Sequence, residues 1–333
     1  MHSLDCFWEK RENVGGQAVI EGVMIRSKYR FAVAVRRKDG SIVLWSKPWN
    51  SIFSKYKLFD YPFVRGGVIL IETLREGLSA LKFSAEQMEE DMEEKEEKKE
   101  SFTLAIILGV VLGLVFFKGV PHLTAYILGK LLGYKTDMTS FLFHVVDGVV
   151  KIILFISYIV VISLFKDIKR VFMYHGAEHK SIYAYERKGE ISIEEAKKHP
   201  RVHPRCGTSF IIFVIIISIL LYSFILPFIP PLTYNTVLNH LIWVVLKIVL
   251  LVPIASITYE FNRWAGSRIT NRFVRFLAYP GLLLQYITTK EPDDSQLEVA
   301  LVALGSVLKD KSTEEKKIRF ANFEDFFIKY NKK

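Results

Sequence analysis

Cysteine and histidine are scarce in this chain, and each scarcity narrows the reading. The two cysteines, Cys6 and Cys206, stand far apart and lack C-x-x-C spacing. A disulfide framework is thereby excluded, and a reducing compartment fits. The opening MHSLDCFWEKREN has no apolar core, so it does not read as a cleaved signal peptide. No Walker loop, G-x-G-x-x-G or G-x-S-x-G is present, which argues against the nucleotide-binding and serine-hydrolase classes that use them. Lysine and arginine are missing from residues 229–236, and that local absence bears on topology.

What is abundant is apolar residue, at 50% of the chain and clumped rather than spread. Clumping of this kind points to a membrane protein. The formal net charge is +10. A soluble protein with that surplus would suggest nucleic acid as partner. Here the positive-inside rule accounts for it, and no nucleic acid is expected. Four segments are long and apolar enough to span: about 102–121, 141–165, 209–228 and 237–258. Between the first two, HLTAYILGKLLGY is short and polar, and reads as an interfacial helix or loop. The stretch 166–208 holds ten Lys and Arg, against none in 229–236. The expected topology is multi-pass in the cell membrane with both termini cytoplasmic.

The fold class expected is a mainly α-helical integral membrane protein with a small β-rich cytoplasmic unit over residues 1–60. In that unit FAVAVRRKDGSIVLWSK reads as a hairpin around Lys38-Asp39-Gly40. The glycines of Gly15-Gly16-Gln17 read as a tight turn before a strand. Residues 61–85 have helical spacing, with Val68, Ile71, Leu74, Leu78 and Leu81 on one apolar stripe suited to a membrane surface or the bundle. A charged linker follows at 86–100, and 101–290 form the membrane domain. Within it RFVRFLAYPGLLLQYITTK is too short to cross and lies in, or dips into, the interface. The cytoplasmic tail, 291–333, opens on EPDDSQLEVALVALGSVLK, a good helix start.

Chemistry concentrates in YHGAEHK, residues 174–180. His175 and His179 share a helix face one turn apart, the spacing at which two imidazoles can bind one metal. H-x-x-E-H is the reversed form of the zinc-peptidase helix, with Glu178 placed as general base. The alternative is a pair of interfacial histidines bonded to headgroups or carbonyls. A third ligand is needed. Glu260, ending the fourth span, is the first candidate, unless it pairs with a nearby arginine. His203 is the second. In HPRCGTSF, Cys206 can join His175, His179 and His203 in a closed structural site, act as a nucleophile, or sit in a turn where Thr208 or Ser209 caps the third span. Arg170, Lys180 and Arg205 are candidates to hold an anionic substrate group. Inside the second span, His144, Asp147 and Lys151 fall at i, i+3 and i+7. They form an ion pair that fixes packing, or a proton or ion path.

These stretches together resemble the YqhQ-like bacterial membrane proteins, a domain-of-unknown-function family described as candidate metal-dependent enzymes. The resemblance covers nearly the whole chain. It rests on GGQAVIEGVMIR, PFVRGGVILIETLREGLSAL, DGVVK, RVFMYHGAEHK, HPRCGTSF, TYE, YPGLLLQ and TTKEPDDSQLEVA. Ile25 departs from the Met expected there. The resemblance implies several spans and metal chemistry, and supplies neither substrate nor reaction. Glu21 is the sole catalytic residue type in GGQAVIEGVMIR.

The leading expectation is a Zn²⁺-dependent hydrolase at the cytoplasmic membrane face, acting on a membrane peptide or lipid. Its rival is a non-catalytic membrane scaffold or regulatory factor, with a structural metal or none. A third reading is a small transporter that uses His144, Asp147 and Lys151.

Overall fold

The computed structural model describes residues 12–51, 61–90, 104, 108–109, 111–113, 115–136, 140–189, 191–310 and 312–331. Cys6, the signal-peptide reading of the N-terminus, most of the charged linker and the expected start of the first span lie outside these residues.

Five strands form one antiparallel sheet in chain order: β1 (Gly15–Val19), β2 (Gly22–Arg26), β3 (Arg30–Arg36), β4 (Ile42–Pro48) and β5 (Lys316–Phe320). The β3–β4 hairpin turns at Lys38-Asp39-Gly40 as expected. Gly40 takes φ +85°, and Asp39 Oδ1 accepts from the Ser41 amide at 3.0 Å. GGQAVIEGVMIR is itself a hairpin. Gly15-Gly16-Gln17 is strand rather than the expected turn, and the turn falls at Ile20-Glu21, where Glu21 adopts φ 48°.

The N-terminal unit is also not self-contained. Its fifth strand comes from the C-terminal tail, with Ile42 opposite Phe320. Strand period two puts Val23, Ile25, Ala32, Ala34, Ile42 and Leu44 on one face. That face packs against α4 (Lys166–Lys188) and α10 (Asp294–Lys309). The other face, with Phe31, Val33 and Val35, packs on Ala80 and Phe83 of α1 (Arg65–Glu90). Both faces are covered, so the sheet reads as near-continuous apolar runs. Helix α10 starts on a capping box between Asp293 and Gln296, and its core-facing leucines Leu297, Leu301 and Leu304 are fully buried.

Helix α1 turns its polar side inward. Glu72 and Glu76 are buried, with Glu76 3.1 Å from Lys47, whereas Ile71, Leu74 and Leu78 of the apolar stripe are exposed. An apolar stripe facing outward suits a helix on a membrane surface. Its start crosses the fourth span closely, because a Cβ at Gly66 would come within 2.5 Å of Ser256 Cα.

Among the described residues, four helical stretches are long and apolar enough to cross a membrane: Val111–Leu132, Phe141–Ile162, Gly207–Phe228 and Val237–Ser267. The first differs from expectation, since HLTAYILGKLL belongs to the span rather than to an interfacial helix or loop. A π-helical turn at Val115–Gly119 precedes α2 (Val120–Leu132), and Pro121 falls in its first turn, where a missing amide costs little. The second span is α3 (Phe141–Ile162) and the third begins with α6 (Gly207–Ile225). A short α5 (Ile193–Lys197) lies between α4 and α6. The fourth span comprises α7 (Thr236–Val249) and α8 (Leu251–Ser267), breaking at Leu250. Pro253 has no amide to offer the Val249 carbonyl, which explains a break there. Residues Arg272–Thr288 form one helix, α9, through Pro280. It exposes Phe273, Phe276, Tyr279 and Leu283, an apolar face suited to the interface. Helix α11 (Phe323–Asn331) closes the described chain.

Candidate metal centre

The centre forms where α4, the start of α6 and the end of α9 meet. His175 and His179 lie on the buried side of α4, and Cys206 is the N-cap of α6. The cap is Cys206 itself, not Thr208 or Ser209. Its Sγ accepts from the Thr208 amide at 3.4 Å. One donor atom from each of His175, His179 and Cys206 lies within 4.8 Å of the others. The three residues are 9%, 2% and 6% exposed.

Backbone carbonyls fix the two imidazoles. A carbonyl can only accept, so Nδ1–H of His175 donates to Thr288 O at 2.8 Å, and Nδ1–H of His179 donates to Arg201 O at 2.5 Å. This leaves each Nε2 facing the thiol, the arrangement in which histidine ligands are held for a metal. His175 Nε2 is 3.2 Å from Cys206 Sγ. His179 Nε2 has no hydrogen-bond partner of good geometry, and its nearest carboxylate oxygen is Glu178 Oε2 at 3.5 Å. A buried ring nitrogen left this way calls for a ligand of its own. Two imidazoles and a thiol make a donor set that fits zinc, with a fourth position remaining.

The thiol's electrostatics agree with a metal site, whereas at His179 a metal has to displace a proton. Burial pushes the Cys206 thiol up, but His179 and His175 outweigh it and hold the group well below its ordinary value. Burial also opposes charge on His179, yet Cys206 and Glu178 raise it to about 9. A depressed thiol is what both a metal ligand and a nucleophile require.

His203 and Glu260 stand outside this donor group. Nε2–H of His203 donates to Glu186 at 3.2 Å, and its Nδ1 accepts from the Arg205 amide at 3.3 Å, so neither nitrogen is available. Burial, then His179, lowers it to about 3. Glu260 takes a two-pronged contact from Arg65, with Nε at 2.6 Å. The expected alternative for Glu260 was an arginine pair, and the partner is on α1. Arg170 pairs with Glu21, Lys180 with Glu291, and Arg205 with Glu186. Each of the three cations expected to hold substrate is thus engaged within the protein. Glu21 also accepts from Tyr174 at 3.2 Å, tying the β1–β2 turn to α4. His144, Asp147 and Lys151 are buried in α3, with Lys151 3.2 Å from Asp147.

Residues without obvious chemistry shape the centre. A Cβ at Gly16 would lie 2.7 Å from Glu178 Oε1 and from the Met24 carbonyl oxygen, so strand β1 presses backbone against the HxxEH glutamate. A Cβ at Gly176 would overlap the Lys290 carbonyl, so the glycine inside the motif lets the TTKE segment lie on α4. Lys290 N donates to Phe172 O at 2.8 Å in the same contact. Gln285 accepts from His203 N at 2.7 Å and donates to His203 O at 2.9 Å and Ser209 Oγ at 2.7 Å, locking HPRCGTSF to α9. In sequence, Gly16 reads as part of a turn, and Gly176 and Gln285 read as having no part in the centre.

The fold and centre define a class: a four-span helical integral membrane protein whose sheet-bearing unit caps a buried His–His–Cys cluster. The family model described as "Protein of unknown function (DUF1385)" matches residues 61–310, and the chain belongs to that family. It is 34% identical over 315 residues to "Uncharacterized protein YqhQ" of Bacillus subtilis (strain 168), covering 90% of this chain and 94% of that relative. No solved structure matches.

Proposed function

We propose that this chain is a membrane-embedded, metal-dependent hydrolase with its centre at the cytoplasmic face. The observation that carries the reading is the convergence of His175, His179 and Cys206, with both Nδ1 groups tied to backbone carbonyls. His175, His179 and Cys206 would hold Zn²⁺, so Cys206 takes the place first given to Glu260 or His203. A zinc ion there supplies Lewis-acid polarisation of water and of a substrate carbonyl or phosphoryl group. Glu178, buried next to His179 and backed by Gly16, takes the proton from the attacking water. The cytoplasmic assignment rests on the ten cations of 166–208, which flank the centre. A centre at the head of the third span suits a membrane peptide or a lipid ester.

A second reading has its own observation. All three donors are buried and Arg170, Lys180 and Arg205 are paired internally, which favours a structural metal in a non-catalytic membrane factor. Metal analysis of detergent-purified protein separates the readings. About one zinc per chain, lost in His175→Ala and Cys206→Ser and kept in Glu178→Gln, supports the ligand set. Hydrolysis of membrane peptides or lipid esters that Glu178→Gln abolishes then favours the enzyme. Full zinc in His175→Ala would end both metal readings.

A further inference from the structure

A second polar cluster lies away from the metal centre, among the spans. Lys118 from the first span, Asp147 and Lys151 from the second, and Lys247 from the fourth line one small cavity, with His122 and Val244 completing it. Tyr222 of the third span sits against it, donating to the Lys247 carbonyl at 2.9 Å. All four spans therefore contribute. Around them packs an apolar shell of Phe143, Trp243, Leu226 and Ile254.

The charges in this cavity do not balance. Three lysines meet one carboxylate, a formal excess of two positive charges. Lys151 takes the near position on Asp147 at 3.2 Å. Lys247, 3% exposed as a residue, is 3.6 Å from Asp147, beyond hydrogen-bond length, and among the described residues its ammonium otherwise meets only aromatic rings, Tyr222 at 5.4 Å and Phe143 at 6.0 Å. Asp147 Oδ1 has no hydrogen-bond partner among the described residues. Charge among spans is costly and is retained where a partner neutralises it. Water can fill donor positions, but it cannot offset charge. Asp147 alone cannot neutralise three ammonium groups, and a bound anion is what would keep all three protonated at this burial. The cavity is about the size of one water molecule, so only a monatomic ion comes near to fitting it, and a phosphate ester is far too large.

We propose that Lys118, Lys151 and Lys247 form an intramembrane binding site for one small inorganic anion of chloride size. Asp147 competes with it for Lys151 and Lys247. His122, whose Nε2 is 2.7 Å from His240 Nδ1, closes one side. This site is independent of the metal reading and shares no residue with it.

The test uses the full chain, purified in detergent and exchanged into gluconate buffer. Radiolabelled chloride is then titrated by equilibrium dialysis. One saturable chloride per chain is expected. At equal ionic strength, the thermal midpoint should be higher in chloride than in gluconate. Lys118→Gln, at a less buried position, should weaken chloride at least about tenfold, as loss of a charged hydrogen-bond donor does. Asp147→Asn should tighten it. Absence of saturable chloride in the wild type overturns the proposal without any variant. So does chloride binding that Lys118→Gln and Lys151→Gln both leave unchanged, or a preference for inorganic phosphate over chloride.

Discussion

Two helices, α10 in the sheet unit and the more apolar α3 among the spans, are built in opposite senses. In α10 the leucines point inward, with Leu297, Leu301 and Leu304 fully buried among sheet residues. In α3 the buried set is Phe143, His144, Asp147, Gly148 and Lys151, while Leu142, Val149, Ile153 and Val161 are exposed. The difference teaches which solvent each helix meets. Water drives apolar groups of α10 into the sheet. Hydrocarbon gives α3 no such drive, so its polar and small residues set the contacts. Gly148 shows this, since a Cβ there would collide with Ile219 of the third span.

The sharpest break in the comparison should come from a buried ion pair that ties β3 to the end of α10, just before the sheet unit's last strand. Arg30 lies 2.9 Å from Asp310, with side chains 3% and 7% exposed. Asp310→Asn leaves a buried guanidinium without its carboxylate, and about 3–5 kcal/mol of stability should be lost at neutral pH. Burial pushes the Asp310 carboxyl up, but Ser312 hydrogen bonds and Arg30 hold it below 3.8. Its folded value is depressed, so its contribution is present above about 3.8 and fades as pH falls through the folded value. Thermal unfolding followed downward from about pH 7 through about 3.8 and below should therefore show a steeper acid-side decline in the wild type than in the Asn variant. An Asn variant as stable as wild type at pH 7 would remove the pair from the account.

Leu301→Ala comes next. It cuts a fully buried side chain between two layers and should cost about 2–5 kcal/mol, read as a drop in the unfolding midpoint. A loss under about 1 kcal/mol would mean that the sheet unit is not packed as a water-driven core.

Sequence made much of this architecture legible where one period ruled. The hairpin at Asp39-Gly40, the α10 start and three of the spans came through patterns of two or 3.6 residues with clear punctuation. The π-turn before Pro121 hid the first span's true extent, because no local pattern marks a change of hydrogen-bond register. β5 was missed because KKIRF alternates weakly and pairs across nearly the full chain. At the centre, His175, His179 and Glu178 were visible as a spacing. Cys206 was seen only as one of several options, since nothing local links it to α4. Gly16, Gly176 and Gln285 act through close approach and backbone hydrogen bonds, which a linear pattern does not encode.

Gly16→Ala probes that hidden contact. The added methyl meets the Met24 carbonyl and Glu178, so about 1–3 kcal/mol of overpacking is expected. Glu178 is the flexible party and should shift, while the ligands on α4 and α6 stay. Under the proposed function, zinc content should therefore persist while hydrolysis falls, as in Glu178→Gln. Zinc lost together with activity would instead make β1 a support of the metal itself.

The smallest effect carries the comparison furthest. Ile153 on α3 is 59% exposed and matches Leu301 in size. On a water-soluble surface such a side chain would be a liability, yet here its neighbours are hydrocarbon, and shortening it exchanges one apolar contact for another. Ile153→Ala should therefore change unfolding in detergent by less than about 0.5 kcal/mol, against the several expected for Leu301→Ala. The pair must be measured in one detergent, because micelle thickness changes how much of α3 is covered. If Ile153→Ala costs as much as Leu301→Ala, α3 buries that face against protein, through a second copy or a partner span. The apolar exterior of the bundle would then be an interface rather than a lipid-facing surface.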